Sequence, residues 1–439
     1  MGQWNDKDHA AGTQRARTQR PWSFQRFMFM LCLIVAGEAV FALPFHIARF
    51  FRPTLLEVLG FTNIELGAAQ AVYGVLAMLA YFPGGPLADR FSARKLLAAS
   101  LGATAVGGVY LATLPGFQGA VILWGFWGVT SILLFWAALI RATRDWGGTD
   151  EQGRAYGILE GGRGLLAAAM ASAAVMLLSL LLPEEVASAT LQEKEQSLRI
   201  VIYGYSLATL GAGVFVWFFV ADGGQADRIQ TRSESLRAHI GRVLRLPSVW
   251  LQTLIVVCAY VGYKGFDNYS LFAAQGYGMD DVEAARVAVL SAWVRPFAAV
   301  GAGFLGDRVR SSRVIVAGFA ILLASDLFFA LTEPVPSAPW ILIVNILLTC
   351  VAIFGLRGVY FAVFQEAKVP TAVTGTAVGL VSVIGYTPDV FVGLVGGWLL
   401  DRSPGVAGHQ HFFLFLAGFA ALGLVVSLAF ARLTTHNAR

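Results

Sequence analysis

Charged side chains stand inside long apolar runs of this sequence, where a charge is costly. Arg295 lies in the run SAWVRPFAAV with no acidic residue within one helical turn, and Arg357 lies between two glycines in IFGLRGVYFAVF. A charge in hydrocarbon costs at least about 2.5–3.5 kcal/mol, so each of them needs a partner or a water-filled cavity. Arg295 lies in the middle of its run, whereas Arg357 lies toward one end, so we take Arg295 as the strongest single candidate for binding an anion. The alternative for Arg295 is a structural pair with Asp267 or Asp389.

Two other apolar runs carry an acidic and a basic residue three positions apart. Glu160 and Arg163 stand in GILEGGRGLL, and Lys264 and Asp267 stand in YVGYKGFDNY, where Tyr260 lies on the same helical stripe. Residues at this spacing share one face of a helix and can pair. Each pair is therefore either a local salt bridge or part of a site, in which the basic residues and Tyr260 bind an anion and the carboxylates exchange protons.

Two carboxyl groups have no cation nearby along the chain. Glu38 lies near the centre of the first apolar run, and Asp389 follows Pro388 in GYTPDVFVG. A carboxyl group within an apolar segment is either neutral or paired with another helix, and its proton affinity depends on that environment. Glu38 and Asp389 are therefore candidates for carrying protons.

The elements that position these residues follow from composition. Of the 439 residues, 57% are hydrophobic and only 13% are charged, whereas soluble domains carry about 25% charged residues. Crossing a membrane takes about 20 apolar residues, and lipid forces such a segment to be a helix. The sequence predicts twelve spans, at about 27–48, 65–86, 93–113, 118–140, 155–182, 198–220, 248–271, 283–305, 312–331, 338–364, 371–399 and 410–431.

The loops between these runs predict the orientation. With the N-terminus in the cytoplasm, 22 Lys and Arg residues fall in cytoplasmic segments and 4 in outer ones. This is the bias of the positive-inside rule. We therefore expect both termini in the cytoplasm and the protein in a bacterial inner membrane. The first apolar run follows 26 mostly polar residues, so we expect it to stay as a span rather than to be cleaved as a signal.

The two halves of the chain resemble each other. The segment 85–95 (GPLADRFSARK) is echoed by 303–313 (GFLGDRVRSSR) at an offset of 218, and 153–157 is echoed by 375–379 at an offset of 222. Two matches at nearly one offset indicate an internal duplication. The sequence therefore predicts a tail, a six-helix half, a linker, a second six-helix half and a tail, at 1–26, 27–220, 221–247, 248–432 and 433–439. Within the linker, 233–246 is either an amphipathic helix on the membrane surface or a solvated basic segment.

The first of these segments resembles the signature loop between spans 2 and 3 of the major facilitator superfamily. Gly85, Asp89, Arg90 and Arg94 match that pattern, whereas Ser92 stands where the family usually has glycine. Its second copy matches at Gly303, Asp307 and Arg308.

This resemblance implies an all-α membrane protein with twelve helices in two pseudo-symmetric halves. In the family the acidic residue of the loop stabilises the outward-open state through span 11 and an arginine below span 4. Asp89 would then pair with Arg141 or Arg144 as part of a gate. A substrate site would lie between the halves near the middle of the membrane.

We therefore expect a secondary transporter of a small organic anion, either proton-coupled or an exchanger, acting as a monomer in the lipid bilayer. A lipid or drug exporter and a non-transporting receptor or scaffold remain as alternatives. No P-loop, HExxH or GxSxG motif is present, so an enzyme, a cofactor and a bound metal are not expected. Basic residues are scattered over short loops, so nucleic acid is not expected as a partner.

Overall fold

The computed structural model describes residues 23–148, 151–220, 241, 243–367 and 371–436. Over these residues the chain forms helices joined by short connections, without a strand. Twelve helical passes, which we call spans 1 to 12, run over Phe24–Phe50, Asn63–Arg90, Ala93–Leu111, Phe117–Gly147, Gln152–Leu181, Leu191–Phe219, Pro247–Tyr277, Asp281–Val309, Ser311–Leu331, Pro339–Val359, Thr371–Arg402 (in two helices) and Val406–His436. The expected all-α membrane architecture is thereby confirmed.

Eleven of these passes, within the described part of the chain, are long and apolar enough to cross a membrane. Span 3, which covers Ala93–Leu111, is the exception because Arg94 and Lys95 stand in its first turn and lower its hydropathy. It nevertheless packs along spans 4 and 6 inside the bundle. Span 3 therefore takes its place through contacts with other helices as well as through its own composition.

Chain direction defines two ends of the bundle. The described chain begins and ends at one of them, the termini face, where spans 2 and 3, 4 and 5, 8 and 9 are also joined. At the opposite end, the far face, three helices begin with a capping box, in which a threonine or aspartate side chain and a glutamate three residues later bond each other's backbone. These pairs are Thr62–Glu65, Thr190–Glu193 and Asp280–Glu283.

Several spans change helical form part-way along their length. Spans 1 and 4 contain π-helical stretches, span 7 contains one 3-10 turn, span 10 is followed by a turn at 360–362 and a short helix, and span 11 is interrupted just before Pro388. The first three irregular stretches are Ala42–His46, Thr130–Trp136 and Phe266–Asn268. Such stretches are frequent at functional sites. By contrast, span 8 continues as one helix through Pro296.

The halves meet mainly where span 2 packs on span 11 and span 5 packs on span 8. Glycines allow the backbones of spans 2 and 11 to touch. A Cβ atom on Gly67 would lie 2.1 Å from the carbonyl oxygen of Gly393, and one on Gly74 would lie 2.8 Å from the backbone of Asp389. Small residues at membrane helix interfaces permit this approach. Most of the linker 221–247 lies outside the described residues, so both interpretations of its amphipathic segment stay open.

Candidate substrate site

A cavity of about 1300 Å³ lies between the two halves. Its inner part is lined by Glu38 and Arg295, which stand midway along spans 1 and 8. Its other end reaches Asp89 and Arg144, which lie where spans 2 and 4 end on the termini face. The cavity therefore runs from the middle of the bundle towards the termini face.

Glu38 is the centre of one charged group in this cavity. Its Oε1 atom lies 3.2 Å from Nε2 of His46, and its Oε2 atom lies 3.6 Å from Nε of Arg163. Arg163 also donates to the Gly37 carbonyl at 2.9 Å and to Glu160 at 2.6 Å. The pairing of Glu160 with Arg163 is the one that their spacing allows, whereas the link to Glu38 joins spans 1 and 5.

Arg295 reaches this group from the other half. Its guanidinium lies 3.8 Å from Oε2 of Glu38 and 3.7 Å from Oε2 of Glu160. Both distances are too long for a hydrogen bond. The sequence indicated that Arg295 needs a partner from another helix or from a substrate, with Asp267 or Asp389 as the structural alternative, and the structure contradicts that choice of partner. The partners are Glu38 and Glu160, which are too distant in sequence for any local pattern to reveal.

A second charged group is built on the broken part of span 7. The Lys264 ammonium lies 2.6 Å from Asp267 and 3.4 Å from Asp389, and Nε of Arg49 lies 2.6 Å from the other oxygen of Asp267. Asp389 also accepts a hydrogen bond of 3.0 Å from the Tyr260 hydroxyl. Asp389, like Glu38, is therefore paired across spans rather than left without a cation.

Arg357 differs from the other cations of the cavity. It makes no ion pair within the described residues, and its Nη1 atom is buried without a hydrogen-bond partner among them. The guanidinium lies over aromatic rings instead, 4.0 Å from the centre of Tyr263 and 5.6 Å from the centre of Tyr260. Such stacking favours a cation but leaves the edge of the guanidinium without an acceptor.

The aromatic residues beside Arg357 were not singled out by sequence reasoning, apart from Tyr260. The ring centre of Tyr386 lies 4.9 Å from that of Tyr260, and Tyr263 accepts a hydrogen bond of 3.2 Å from Arg49. Tyr263 stands three positions after Tyr260, so the helical spacing that selected Lys264 also points to it. Tyr386 gave no comparable signal, because its contacts depend on the interruption of span 11.

The far face is closed by polar contacts between the halves. Lys194 lies 2.7 Å from Glu57 of its own half and 2.8 Å from Asp281 of the other half. Thr54 donates to Asp281 at 2.9 Å, and the start of span 2 donates to Asp401 at 2.7–3.1 Å. Together with the bond between Arg49 and Asp267, these contacts separate the cavity from the far face.

The loop between spans 2 and 3 does not pair Asp89 with Arg141 or Arg144 in this conformation. Asp89 is exposed, lines the mouth of the cavity and makes no ion pair with a described residue. Arg141 instead donates to the carbonyl groups of Ala88 and Phe91, which fixes the end of span 2. The expected pairing belongs to the outward-open state and stays a prediction, because in the described conformation Arg141 instead satisfies orphan carbonyl groups at a helix end.

The same loop also shows how the chain accommodates Ser92 in place of glycine. Its side chain accepts a bond from the backbone of Lys95 and so caps span 3. Arg94 lies over the ring of Trp217 at 5.2 Å, whereas Arg90 is exposed. Ser92 therefore serves as a helix cap at this position.

The second copy of the motif joins spans 8, 9 and 10. Gly303 lines the cavity, and Asp307 and Arg308 are exposed. The neighbouring Arg310 lies 3.5 Å from Glu366, which also accepts a bond of 3.0 Å from the backbone of Ser312. Both copies thus fix a helix junction on the termini face, through Arg141 near the end of span 4 in one half and through Glu366 after span 10 in the other.

The sequence profile described as Major Facilitator Superfamily matches residues 27–388. The chain belongs to this superfamily. It is therefore a membrane transporter by family and not an enzyme, as the sequence led us to expect. The resemblance read from the loop between spans 2 and 3 is confirmed.

Similar proteins cover almost the whole chain. The inner membrane protein YqcE of Escherichia coli strain K12 is 28% identical over 415 residues, which are 93% of this chain and 95% of the relative. The inner membrane protein YihN of the same strain is 28% identical over 421 residues, 94% of this chain and 95% of the relative. The structure of a bacterial homolog of the human lysosomal transporter Spinster superposes with a TM-score of 0.75 at 15% identity, covering 95% of this chain and 99% of the other. This last likeness concerns the fold alone.

Proposed function

We propose that this protein is a secondary active transporter of a small organic anion that works by alternating access. The observation that carries the proposal is Arg357, a cation in the cavity that has no acidic partner among the described residues. An arginine at this depth requires an anion or water. A guanidinium edge binds carboxylate, sulfonate and phosphate groups with two parallel hydrogen bonds.

The other charges of the site support an anion rather than a cation as substrate. Glu38, Glu160, Asp267 and Asp389 are each within 4 Å of at least one arginine or lysine. A cationic substrate would have to displace one of these partners and leave it buried and unpaired, which is costly. An anion meets Arg357 without such a displacement.

Arg295 and Arg163 would complete the anion site, with Lys264 and Tyr260 on its border. Arg295 belongs to one half and Arg163 to the other, and both already share Glu38 and Glu160. Because its separations from these carboxylates are too long for hydrogen bonds, Arg295 would donate to the same anionic group as Arg357 while staying beside Glu38 and Glu160. An anion held between the halves would favour their closure on the termini face, which is the coupling that alternating access requires.

Asp389 is the first candidate for the proton-carrying residue, and Glu38 is the second. Asp389 has one oxygen within 3.4 Å of Lys264 and the other bonded to Tyr260, in the span that is interrupted next to it. Glu38 has two arginines and His46 around it, whereas Lys264 is the one cation within 4 Å of Asp389 among the described residues, so a proton on Asp389 would leave fewer partners unpaired. Glu160 and Asp267 each have a cation at 2.6 Å, and a proton on either carboxylate would disrupt that short ion pair, so they rank last as proton carriers.

The proposed setting is a bacterial inner membrane with both termini in the cytoplasm. This setting rests on the distribution of Lys and Arg between the loops and on the two relatives called inner membrane proteins. The cavity would then face the cytoplasm, and the far-face contacts would form the closed outer gate. The loop bearing Asp89 would act once that face closes.

The test is ligand-dependent melting of the purified protein, since a ligand that binds the folded state raises its stability. The probes are acetate, benzoate, glucuronate, phosphate, glucose, tetraphenylphosphonium and a lysophospholipid. We expect shifts with at least one organic anion, lost in Arg357→Ala. The matched control is Arg286→Ala, because Arg286 is exposed on span 8 and does not line the cavity.

Other outcomes separate the alternatives. A shift with the lipid or the lipophilic cation alone would refute the anion site and favour an exporter of such compounds. Binding of an anion without counterflow in proteoliposomes would favour a receptor. Equal shifts in Arg357→Ala and Arg286→Ala would refute the role of Arg357.

A further inference from the structure

We infer that the substrate carries a single negative charge next to a ring, with the charged group on Arg357 and the ring on the neighbouring tyrosines. This inference rests on the proposed function and narrows it to one class of anion. It depends on two separate features of the cavity, the number of charges left unpaired and the aromatic surface beside them.

With every carboxyl group ionised, the charges of the cavity, counted over the described residues, leave one positive charge in excess. With His46 counted as neutral, seven arginine and lysine residues and five acidic residues line it, and a sixth acid, Asp267, pairs with two of these cations. The mouth contributes two of each sign, Arg141 and Arg144 against Asp89 and Asp145. The excess therefore resides in the inner part, where Arg357 is the residue without an ion pair.

A second negative charge on the substrate would have to draw on cations that already compensate carboxylates, including Arg295, which lies between Glu38 and Glu160. Arg49 and Lys264 each lie 2.6 Å from Asp267, and Arg163 lies 2.6 Å from Glu160. Taking Arg49 or Lys264 would deprive Asp267 of a partner, and taking Arg163 would do the same to Glu38; the side chains of these two carboxylates are only 6% and 4% exposed. Breaking a buried pair in this way is strongly destabilising. One anionic group per substrate is the number that the site can hold without that cost.

The aromatic surface sets the second requirement. Tyr263 and Tyr260 lie under the guanidinium of Arg357, and Tyr386 extends the same surface on span 11. Trp136 and Phe41 line the cavity from the other half and pack edge to face at 6.1 Å. Rings gain by stacking and edge contacts with such side chains. A solute that has only a carboxylate would leave this surface unused.

Two kinds of ring satisfy these contacts, a planar aromatic ring and a sugar ring with its apolar face against the tyrosines. Both combine one acid group with one ring, which is the chemistry that the inference names. Matched probes distinguish the two kinds of ring. Benzoate, benzamide and phthalate share an aromatic ring and carry one, no and two negative charges. Glucuronate, glucose and glucose 6-phosphate share a sugar ring and carry one, no and about two negative charges at pH 7.

The experiment measures dissociation constants of these probes and of acetate for the full-length protein in nanodiscs. We expect benzoate or glucuronate to bind at least about tenfold more tightly than its neutral and doubly charged counterparts and than acetate. Tyr386→Ala should weaken binding of the ring-bearing anion but leave that of acetate unchanged. The series in which the preference occurs identifies the ring.

Two results would overturn the inference while leaving the proposed function intact. These are a doubly charged probe that binds as tightly as its singly charged counterpart, and acetate that binds as tightly as the ring-bearing acids. If no anion of either charge binds in a manner sensitive to Arg357→Ala, the proposed function itself fails. Unliganded melting temperatures of each variant show whether a loss reflects misfolding, and Tyr386→Phe, which keeps the ring, should restore binding.

Discussion

Gly67 offers a direct test of the idea that the protein alternates between two states. This residue lies near the beginning of span 2, where span 2 touches span 11 close to the far face. A Cβ atom there would lie 2.1 Å from the carbonyl oxygen and 2.5 Å from the carbonyl carbon of Gly393. Both are backbone atoms, so no side chain can turn away to make room. Gly67→Ala should therefore penalise the described conformation, in which the far face is closed.

The size of the effect follows from this geometry. Ordinary contact begins at about 3.4 Å, so the two helices would have to move apart by about 1.3 Å at this point. Overpacking of a tight interface costs about 1–3 kcal/mol, which changes a two-state equilibrium by roughly 5- to 150-fold. A conformation open on the far face that is populated at about 1% would then rise to between about 5% and 60%.

The assay is a distance measurement between spin labels on the far-face loops of the two halves. Ser188 and Ser337 are exposed, and each can be replaced by cysteine for labelling. The three native cysteines, Cys32, Cys258 and Cys350, are buried and so should label poorly. We expect Gly67→Ala to add a population at longer distance, together with a loss of transport activity.

Two further variants control this measurement. A Cβ atom on Gly102, in the middle of span 3, has no neighbour within 4 Å, so Gly102→Ala should leave the distances unchanged. Gly393→Ala meets its nearest atoms only at 3.3 Å and should cause a smaller shift than Gly67→Ala. The reasoning would be refuted if Gly67→Ala matched Gly102→Ala in distances and transport while remaining folded.

Two more predictions concern the gate and the proton. Lys194→Met removes the ammonium that joins Glu57 to Asp281 across the halves. Because such partly exposed pairs contribute about 0.2–1 kcal/mol, the spin labels at positions 188 and 337 should show a rise of up to about fivefold in the population open on the far face. An unchanged distance distribution would show that Lys194 does not hold the far face closed. If Asp389 carries the proton, Asp389→Asn should abolish accumulation driven by a pH gradient in proteoliposomes while counterflow exchange continues. Retained accumulation in that variant, with loss in Glu38→Gln, would assign the proton to Glu38.

Much of the architecture could be predicted from the sequence because lipid leaves the backbone few choices. An apolar run of span length must be a helix, so the number and order of the spans follow from hydropathy. The repeated motif at Asp89 and Asp307 could also be recognised in the sequence, because it marks helix junctions that recur in each half. Span 3 is the hardest span to predict, because two basic residues lower its hydropathy and contacts with neighbouring spans help to hold it in the bundle.

Local charge pairs could also be predicted from the sequence. Glu160 with Arg163 and Lys264 with Asp267 are three residues apart, and helical geometry alone brings each pair together. The interrupted helix of span 11 could be suspected from Pro388, whereas the π-helical stretches of spans 1 and 4 have no such marker.

The sequence determined which charges lie inside the membrane, and the tertiary structure decided which of them are free. Arg295 and Arg357 look alike along the chain, since neither has an acidic residue nearby. Folding brings Glu38 and Glu160 to Arg295 from the other half, whereas it surrounds Arg357 with tyrosine rings. A charge interacts across space at distances that sequence separation does not encode, so the balance of charges in the cavity exists only once all the helices are assembled.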